Sequence, residues 1–419
     1  MSGHKMRPMS KGWIFVCLVA CLCGGSPLFG KTIVIRGGEI HPMNGKTIVS
    51  GTILIRDGRI VEIGEDVRVP EDAEVFEARG YILYPGLVAP AGIFTPAELE
   101  TFESFTPDTS ALDRFDFRGD YSRWLRGGVT SAFVAMPGDR FISGKGAVVK
   151  LGRGEKLSTV LKREAALTVN LGKEAVLPPM TDIFPAPVSA GNPLVPSMKQ
   201  YPSSSLGAFW LLNELFRFDP YSGDLAAYLQ NVSDSLRKAH DLGLPLIVHC
   251  HKAADIYQAV DLAKRVKLPL IIHGAGEAGG MIDLLKENGA SVIAEVDVRP
   301  DGQWPDEDSE KEEQLRNRLK AIPALIREGI LTAVTPAEDR YLSDLFWVVQ
   351  YFQKYGLDQE ELIKTVTVNP AKIFGLEERI GSLARGCDAD ILFFKKEPGK
   401  PLPRLKKVMS EGHIVYEEK

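Results

Sequence analysis

Short, continuous runs of apolar residues recur along the middle of the chain, and they constrain its fold more than any other feature. A strand that is buried on both faces produces such a run, because neither face meets water. The runs lie at residues 81–88, 130–135, 165–169, 245–248, 269–272, 291–294 and 331–334. Amphipathic helical patterns separate the later runs, which indicates consecutive β-α-β units. We therefore predict an α/β protein with a closed (β/α)8 TIM-like barrel.

The two ends of the chain show a different pattern, in which short strands rich in branched residues alternate with glycine-containing turns. Asp57-Gly58 lies between two such strands and is a strong hairpin signal. Short strands return at residues 389–394 and 413–416. The simplest prediction is a small β-sandwich formed by the N- and C-terminal segments. The predicted domains are residues 31–82 and 371–419 for the two parts of the sandwich and residues 83–370 for the barrel.

Residues 1–30 resemble a secretory signal peptide. Basic residues come first, the apolar residues 13–22 follow, and small residues come next. Residues 18–21 match a bacterial lipobox, in which Cys21 would be lipidated; the alternative is cleavage nearer Gly30 without a lipid. We therefore expect an exported bacterial protein that is either periplasmic or a lipoprotein tethered to the membrane.

The composition of the chain limits the classes of partner that we expect it to bind. The formal net charge of -5 argues against nucleic acid, since binding phosphates requires clustered Lys and Arg. Beyond the signal segment only Cys250 and Cys387 remain, so no disulfide framework is expected. Cys250 is more typical of packing than of a nucleophile. A small-molecule substrate or ligand is the expected partner, and a homodimer is one assembly to expect.

Histidines follow two neighbouring apolar runs of the predicted barrel. His249 ends the run at residues 245–248, and His273 ends the run at residues 269–272. Function in such barrels lies at the carboxyl ends of the strands, and neutral imidazole is a common zinc ligand. We predict that His249 and His273 bind a metal. His251 is a further candidate, because residues two apart on a strand face the same way. The alternative is that each histidine is an ordinary polar residue at a strand end.

Several motifs along the chain occur together in one known family. They are residues 53–60 (ILIRDGRI), 84–88 (YPGLV), 126–131 (RGGVTS), 144–150 (GKGAVVK), 367–376 (TVNPAKIFGL) and 381–390 (GSLARGCDAD). Taken together, the chain resembles the amidohydrolase superfamily, and within it the imidazolonepropionase-like branch. The resemblance covers nearly everything after the signal segment.

The resemblance implies a hydrolase in which a divalent metal, with zinc as the first candidate, activates water. His249 and His273 match the family's ligands on strands five and six. Two other ligand positions depart from the pattern. The family's His-x-His pair falls on residues 91–93 (AGI), and its strand-eight aspartate falls on Thr335 and Pro336. A third ligand would have to come from another residue. The candidates are His251, Glu295, Asp297 and Glu338.

Two functions therefore stay open. The first is a hydrolase of non-peptide carbon–nitrogen bonds, such as those of a cyclic amide, that uses a reduced mononuclear metal site. The second is an exported pseudoenzyme that holds no metal and serves as a binding or envelope-associated scaffold. Fold alone does not decide between them, so the site must.

Overall fold

The computed structural model describes residues 31–92, 105–135, 140–154, 156–171, 202, 204–219, 226–297, 309–397 and 402–418. The predicted signal segment and Cys21 lie outside these described residues. Within them, no helix is both long enough and apolar enough to span a membrane.

The described residues form strands and helices in the order that the apolar runs predict for the later half of the chain. The strands are β1 (Thr32–Ile40), β2 (Ile48–Arg56), β3 (Arg59–Gly64), β4 (Glu74–Glu77), β5 (Tyr81–Pro85), β6 (Leu87–Gly92), β7 (Val129–Val134), β8 (Ile142–Lys150), β9 (Thr159–Asn170), β10 (Leu246–Cys250), β11 (Leu270–Gly274), β12 (Ser291–Val296), β13 (Thr332–Pro336), β14 (Ile391–Lys395), β15 (Arg404–Ser410) and β16 (His413–Glu417). The helices are α1 (Ser122–Arg126), α2 (Ser205–Leu215), α3 (Ala226–Asp241), α4 (Ala253–Val266), α5 (Ile282–Glu287), α6 (Ser309–Arg327), α7 (Leu345–Gln350), α8 (Gln359–Lys364) and α9 (Val368–Ile373).

Strands from both ends of the chain share one hydrogen-bonded sheet. Its order is β16-β15-β14-β5-β1-β2-β3, with β4 paired to β1. The two ends meet where β14 pairs antiparallel with β5, with Ile391 opposite Pro85. Branched and aromatic side chains such as Ile35, Ile53 and Phe393 form a buried core on this sheet. The pairing of the two ends is therefore present, whereas the two layers of a sandwich stay a prediction.

The second sheet contains eight strands in chain order, from β6 to β13, and is a nearly closed barrel. Thr335 Oγ1 on β13 donates to the Ala91 carbonyl of β6 at 3.4 Å, across the line where the barrel closes. One part of the prediction was wrong. β8 pairs antiparallel with both β7 and β9, so this part of the barrel does not consist of regular β-α units.

Side-chain alternation divides the barrel strands into an inner and an outer face. Ile247, Ile271 and Ile293 belong to the core inside the barrel. Their neighbours Leu246 and Val248 belong to the core that also contains the helices. Both faces are therefore apolar, which explains the continuous runs in the sequence. The same alternation decides which residues at the strand ends face the barrel mouth.

A buried charged cluster lies at the opposite end of the barrel, where β8 ends. Lys150 Nζ lies 2.9 Å from Asp388 Oδ2 and also hydrogen-bonds to Asp390. Asp390 accepts a further hydrogen bond from Thr130 Oγ1 at 3.2 Å. Burial lowers the pKa of Lys150, but the two carboxylates outweigh it and raise that pKa above its usual value of 10.5. We call these residues, Lys150, Asp388 and Asp390, the base cluster, and it joins the barrel to the terminal sheet.

The chain passes from the terminal sheet into the barrel beside the base cluster, and one glycine makes this passage feasible. Gly86 separates β5 from β6, and its N–H donates to the Asp390 carbonyl at 3.0 Å. A Cβ at this position would lie only 2.2 Å from Thr130 Oγ1. The close approach therefore requires a residue without a side chain.

Candidate metal centre

The two predicted histidine ligands lie side by side at the carboxyl ends of neighbouring parallel strands. His249 on β10 and His273 on β11 are register partners, and their ring centroids are 5.0 Å apart. Each lies two residues after an isoleucine of the barrel interior, so both side chains face the mouth. The sequence prediction that these two imidazoles meet at one site therefore agrees with the structure.

Glu295 on β12 completes the cluster. It lies two residues after Ile293 and points into the same mouth. Its Oε1 lies 3.1 Å from His273 Nε2 and 3.4 Å from His249 Nε2. One potential ligand atom from each of the three residues lies within 4.8 Å of the others. We call His249, His273 and Glu295 the mouth cluster.

His251 flanks the mouth cluster. Its Nε2 lies 3.6 Å from Glu295 Oε2, the carboxylate oxygen that faces away from the other two histidines. Its ring packs over Gly274, which has a φ of +93°, and a Cβ there would lie 2.7 Å from His251 Cε1. Gly274 therefore makes room for this imidazole. His251 remains a candidate for a further ligand or for a residue that orients Glu295.

The electrostatics of the mouth cluster favour a charged carboxylate. Burial alone would raise the pKa of Glu295, but the neighbouring imidazoles of His273 and His249 lower that pKa well below its usual value. The side chains of the three residues are only 16 to 18 % exposed. Glu295 is therefore a nearly enclosed anion at neutral pH.

One atom of the cluster lacks a hydrogen bond. His273 Nε2 is buried, and among the described residues no group meets hydrogen-bond geometry with it, although Glu295 Oε1 lies only 3.1 Å away. A buried polar atom without a hydrogen bond is rare in native proteins. Two imidazoles and one carboxylate also form the protein ligand set of known catalytic zinc sites. The residues present therefore fit a divalent metal.

The other candidates for a third ligand lie elsewhere. Glu338 pairs with Arg340, whose Nε lies 2.7 Å from its Oε2. Asp297 follows the end of β12. In the part of the chain that the structure describes, neither belongs to a metal-type group of three ligands. The sequence offers Glu295 only as one of four candidates for the third ligand. Counting two residues from the inward Ile293 would have favoured Glu295.

The remaining side of the mouth carries no ligand at the positions where the resemblance requires one. Ala91 and Thr335 are buried there, and the Thr335 hydroxyl bonds to the Ala91 carbonyl. Ile93 lies outside the described residues. The departures noted in the sequence are therefore departures in space as well, and the donors lie on β10, β11 and β12 alone among these strands.

Cys250 is unsuited to nucleophilic attack. It lies between His249 and His251 in sequence but faces the opposite side of the strand, in the core with Val248. Burial raises the pKa of its thiol far above its usual value, and the nearby Asp255 contributes in the same direction. A thiol that stays protonated at neutral pH is a poor nucleophile. The packing role predicted from the sequence agrees with this environment.

The fold and this site define a class of protein: an α/β barrel in which two histidines and a glutamate that could hold a metal ion lie at the carboxyl ends of the strands. The family model for the Amidohydrolase family matches residues 223–416. An amidohydrolase from Thermotoga maritima MSB8 superposes with a TM-score of 0.72 at 24% identity, covering 92% of this chain and 100% of that one. Residues 223–416 therefore match the Amidohydrolase family, and the described chain shares the fold of solved amidohydrolases. The narrower assignment to the imidazolonepropionase-like branch stays a prediction.

Two adenine deaminases are similar to this chain in sequence. An adenine deaminase from Moorella thermoacetica is 25% identical over 407 residues, which cover 95% of this chain and 59% of the relative. Adenine deaminase 1 from Carboxydothermus hydrogenoformans is 32% identical over 111 residues, covering 25% of this chain and 18% of that protein. The chain thus spans less than two thirds of either relative. A putative prolidase from Bifidobacterium longum, with a TM-score of 0.57 at 13% identity, shares the fold alone; the alignment covers 93% of this chain and 95% of that one.

Proposed function

We propose that the protein is a hydrolase of non-peptide carbon–nitrogen bonds that uses one divalent metal held by His249, His273 and Glu295. The observation that carries the proposal is the convergence of two Nε2 atoms and one carboxylate oxygen within 4.8 Å. The family match and the adenine deaminase relatives support this reaction class. Zinc is the first candidate because its catalytic sites use this ligand set.

The metal would supply a Lewis acid that activates water for attack on the carbon of the scissile bond. Charge compensation and orientation at the site come from the protein's own residues. The charged Glu295 would offset part of the cation's charge in a nearly enclosed site. His251 beside Oε2 would hold the second oxygen of Glu295 in place.

The substrate class we propose is a cyclic amide or an amino-substituted ring. The first member follows from the family resemblance, and the second follows from the relatives, which are adenine deaminases by name. Adenine and simple cyclic amides are therefore the first compounds to test, with ammonia release and ring opening as the respective readouts.

Elemental analysis of purified, zinc-supplied protein tests the proposal. We expect close to one zinc per chain in the wild type and almost none in the double variant His249→Ala, His273→Ala. His413→Ala is the matched control, because this exposed histidine lies on the edge strand β16 of the terminal sheet. Folded wild-type protein that takes up no metal would contradict the proposal.

A second candidate function has an observation of its own. The mouth lacks donors at Ala91 and Thr335, and Glu295 already has a charge partner in the neighbouring imidazoles. A ligand-binding pseudoenzyme fits these two facts. Its signature would be a folded, metal-free protein that binds a small molecule with equal affinity before and after treatment with a chelator.

A further inference from the structure

Asn170 is a polar residue of the barrel mouth that neither the sequence nor the metal site accounts for. It ends β9, and its Cα is the register partner of His249 on β10. Leu167 and Val169 on the same strand belong to the outer core, so by alternation Asn170 shares the inward face with the mouth cluster. The residue is 1% exposed. Adjacent strands lie about 4.8 Å apart, which places Asn170 next to the proposed metal ligand.

Two hydrogen bonds fix the orientation of its amide. Nδ2 donates to the Arg140 carbonyl and to Ser143 Oγ, the latter at 2.9 Å. A backbone carbonyl can only accept, so the nitrogen must be the atom that faces Arg140. Ser143 Oγ donates to the same Arg140 carbonyl at 3.3 Å, which fixes the second partner as well. The side chain is therefore held in one arrangement before any ligand binds.

The carbonyl oxygen of the Asn170 amide takes part in neither of these hydrogen bonds. Oδ1 is buried and has no hydrogen-bond partner among the described residues. An unmet acceptor in a buried site costs stability, so a rigidly held one beside a reaction centre favours a role in ligand recognition. A neutral amide oxygen is also not among the usual protein ligands of zinc. A hydrogen-bond donor of a bound molecule is therefore the better match.

We propose that Asn170 Oδ1 accepts a hydrogen bond from an N–H group of the substrate and selects for substrates that carry one beside the attacked carbon. The inference rests on the proposed function, because hydrolysis of a carbon–nitrogen bond brings nitrogen to this place. The substrate class is then an N-unsubstituted cyclic amide or a ring with a free amino group. Analogues methylated at that nitrogen lack the N–H donor and leave Asn170 Oδ1 without a hydrogen-bond partner.

Binding of matched probes to the zinc-loaded full chain tests the inference. The pairs are adenine with N6,N6-dimethyladenine, and glutarimide with N-methylglutarimide, titrated by calorimetry. In the wild type, we expect the N–H member of at least one pair to bind roughly ten-fold or more tightly than its methylated partner, since an unpaired buried acceptor is costly. Asn170→Leu, close in size but without an acceptor, should abolish this preference.

Thr168→Val is the matched control. Thr168 lies on the same face of β9 one layer deeper, and its Oγ1 is likewise buried without a partner. This variant should keep the preference, which shows that the effect belongs to Asn170 and not to any unpartnered group of the strand. Asn170→Ala replaces the leucine variant if the latter shows no cooperative thermal transition.

Zinc content measured on the same samples separates the two proposals. Wild-type protein without zinc contradicts the proposed function. Zinc-loaded wild type that binds no N–H probe, or binds both members of each pair equally, overturns the role of Asn170 alone. Retention of the preference in Asn170→Leu overturns it too. Loss of zinc from Asn170→Leu would make the residue a metal ligand and likewise overturn the inference.

Discussion

The base cluster and the mouth cluster are both buried groups of opposite charges, but they are completed in different ways. At the base, Lys150 is surrounded by two carboxylates, and Asp390 has a hydroxyl donor besides. At the mouth, Glu295 faces imidazoles, and His273 Nε2 is left without a hydrogen bond. The base cluster is satisfied within the chain, whereas the mouth cluster still has capacity for a ligand.

This difference separates a structural role from a functional one. A buried ionic group whose partners are all present holds elements together and offers nothing to a ligand. A buried polar atom that lacks a partner is retained at a cost, and binding of a ligand is one explanation for it. The ammonium group of Lys150 is engaged by Asp388 and Asp390, so this cluster is structural.

The largest effect is expected at the base. Lys150→Met leaves Asp390 buried without its cation, whereas Asp388 keeps Arg379, whose Nε lies 3.3 Å from Asp388 Oδ2. Breaking a buried ion pair costs about 3–5 kcal/mol. The free energy of unfolding, measured by urea titration, should fall by that amount. Lys145→Met is the matched control on the same strand, since Lys145 pairs with the half-exposed Glu164 and should cost at most about 1 kcal/mol. Equal losses in the two variants would contradict a special role for the base cluster.

At the mouth cluster, removal of a charged group should alter the affinity for zinc more than the free energy of unfolding. Glu295→Gln removes the charged ligand but keeps the shape, so the dissociation constant for zinc should rise by about ten-fold or more. Competition with a chromophoric chelator measures this constant. Glu338→Gln, outside the cluster, should leave it unchanged. An unaltered zinc affinity in Glu295→Gln would remove the carboxylate from the site.

The pH dependence of the base cluster sharpens the contrast. A lysine whose folded pKa is raised contributes stability that is fully present below its unfolded pKa and is lost as the pH rises through the folded value. The gap in unfolding free energy between wild type and Lys150→Met should therefore be the same at pH 7 and at about pH 9.5. Urea titrations at both values check this. A gap that shrinks at the higher pH would show that Lys150 loses its proton earlier.

The smallest effect is expected at Cys250, which lies between two mouth histidines but faces the outer core. Cys250→Ala should leave zinc content unchanged and lower the free energy of unfolding by about 1 kcal/mol, the value of a small buried group. Metal analysis and urea titration on the same preparation measure both quantities. Lost zinc in this variant would show that the sulfur reaches the mouth.

The local sequence pattern was enough to predict much of the fold and part of the candidate site. Apolar runs predicted the barrel strands, and the position of His249 and His273 at the ends of two runs predicted their meeting. Both predictions depend only on residues that lie close together in the sequence. The antiparallel β8 escaped prediction because its glycines, Gly144 and Gly146, interrupt the apolar run.

Contacts between distant parts of the chain could not be predicted. Lys150 and Asp390 are 240 residues apart, and no pattern near either residue indicates the other. Glu295 and Asn170 ended strands whose inward side was known only once the register was fixed. For Glu295 the alternation offered a usable signal; for Asn170 the two bonds that orient its amide come from another strand and the loop before it.

The pairing of β5 with β14 determines when the chain can complete its folding. Synthesis delivers residues 81–85 about 300 residues before β14, so during that interval β5 can pair with β1 on one side while its other edge stays unpaired. The cation of Lys150 likewise waits for Asp388 and Asp390. Such long-range pairing makes folding slow and exposes the nascent chain to aggregation. The protein therefore reaches its native state only after its last strands are available, and a chain cut short before residue 391 would have neither a complete sheet nor a neutralised base.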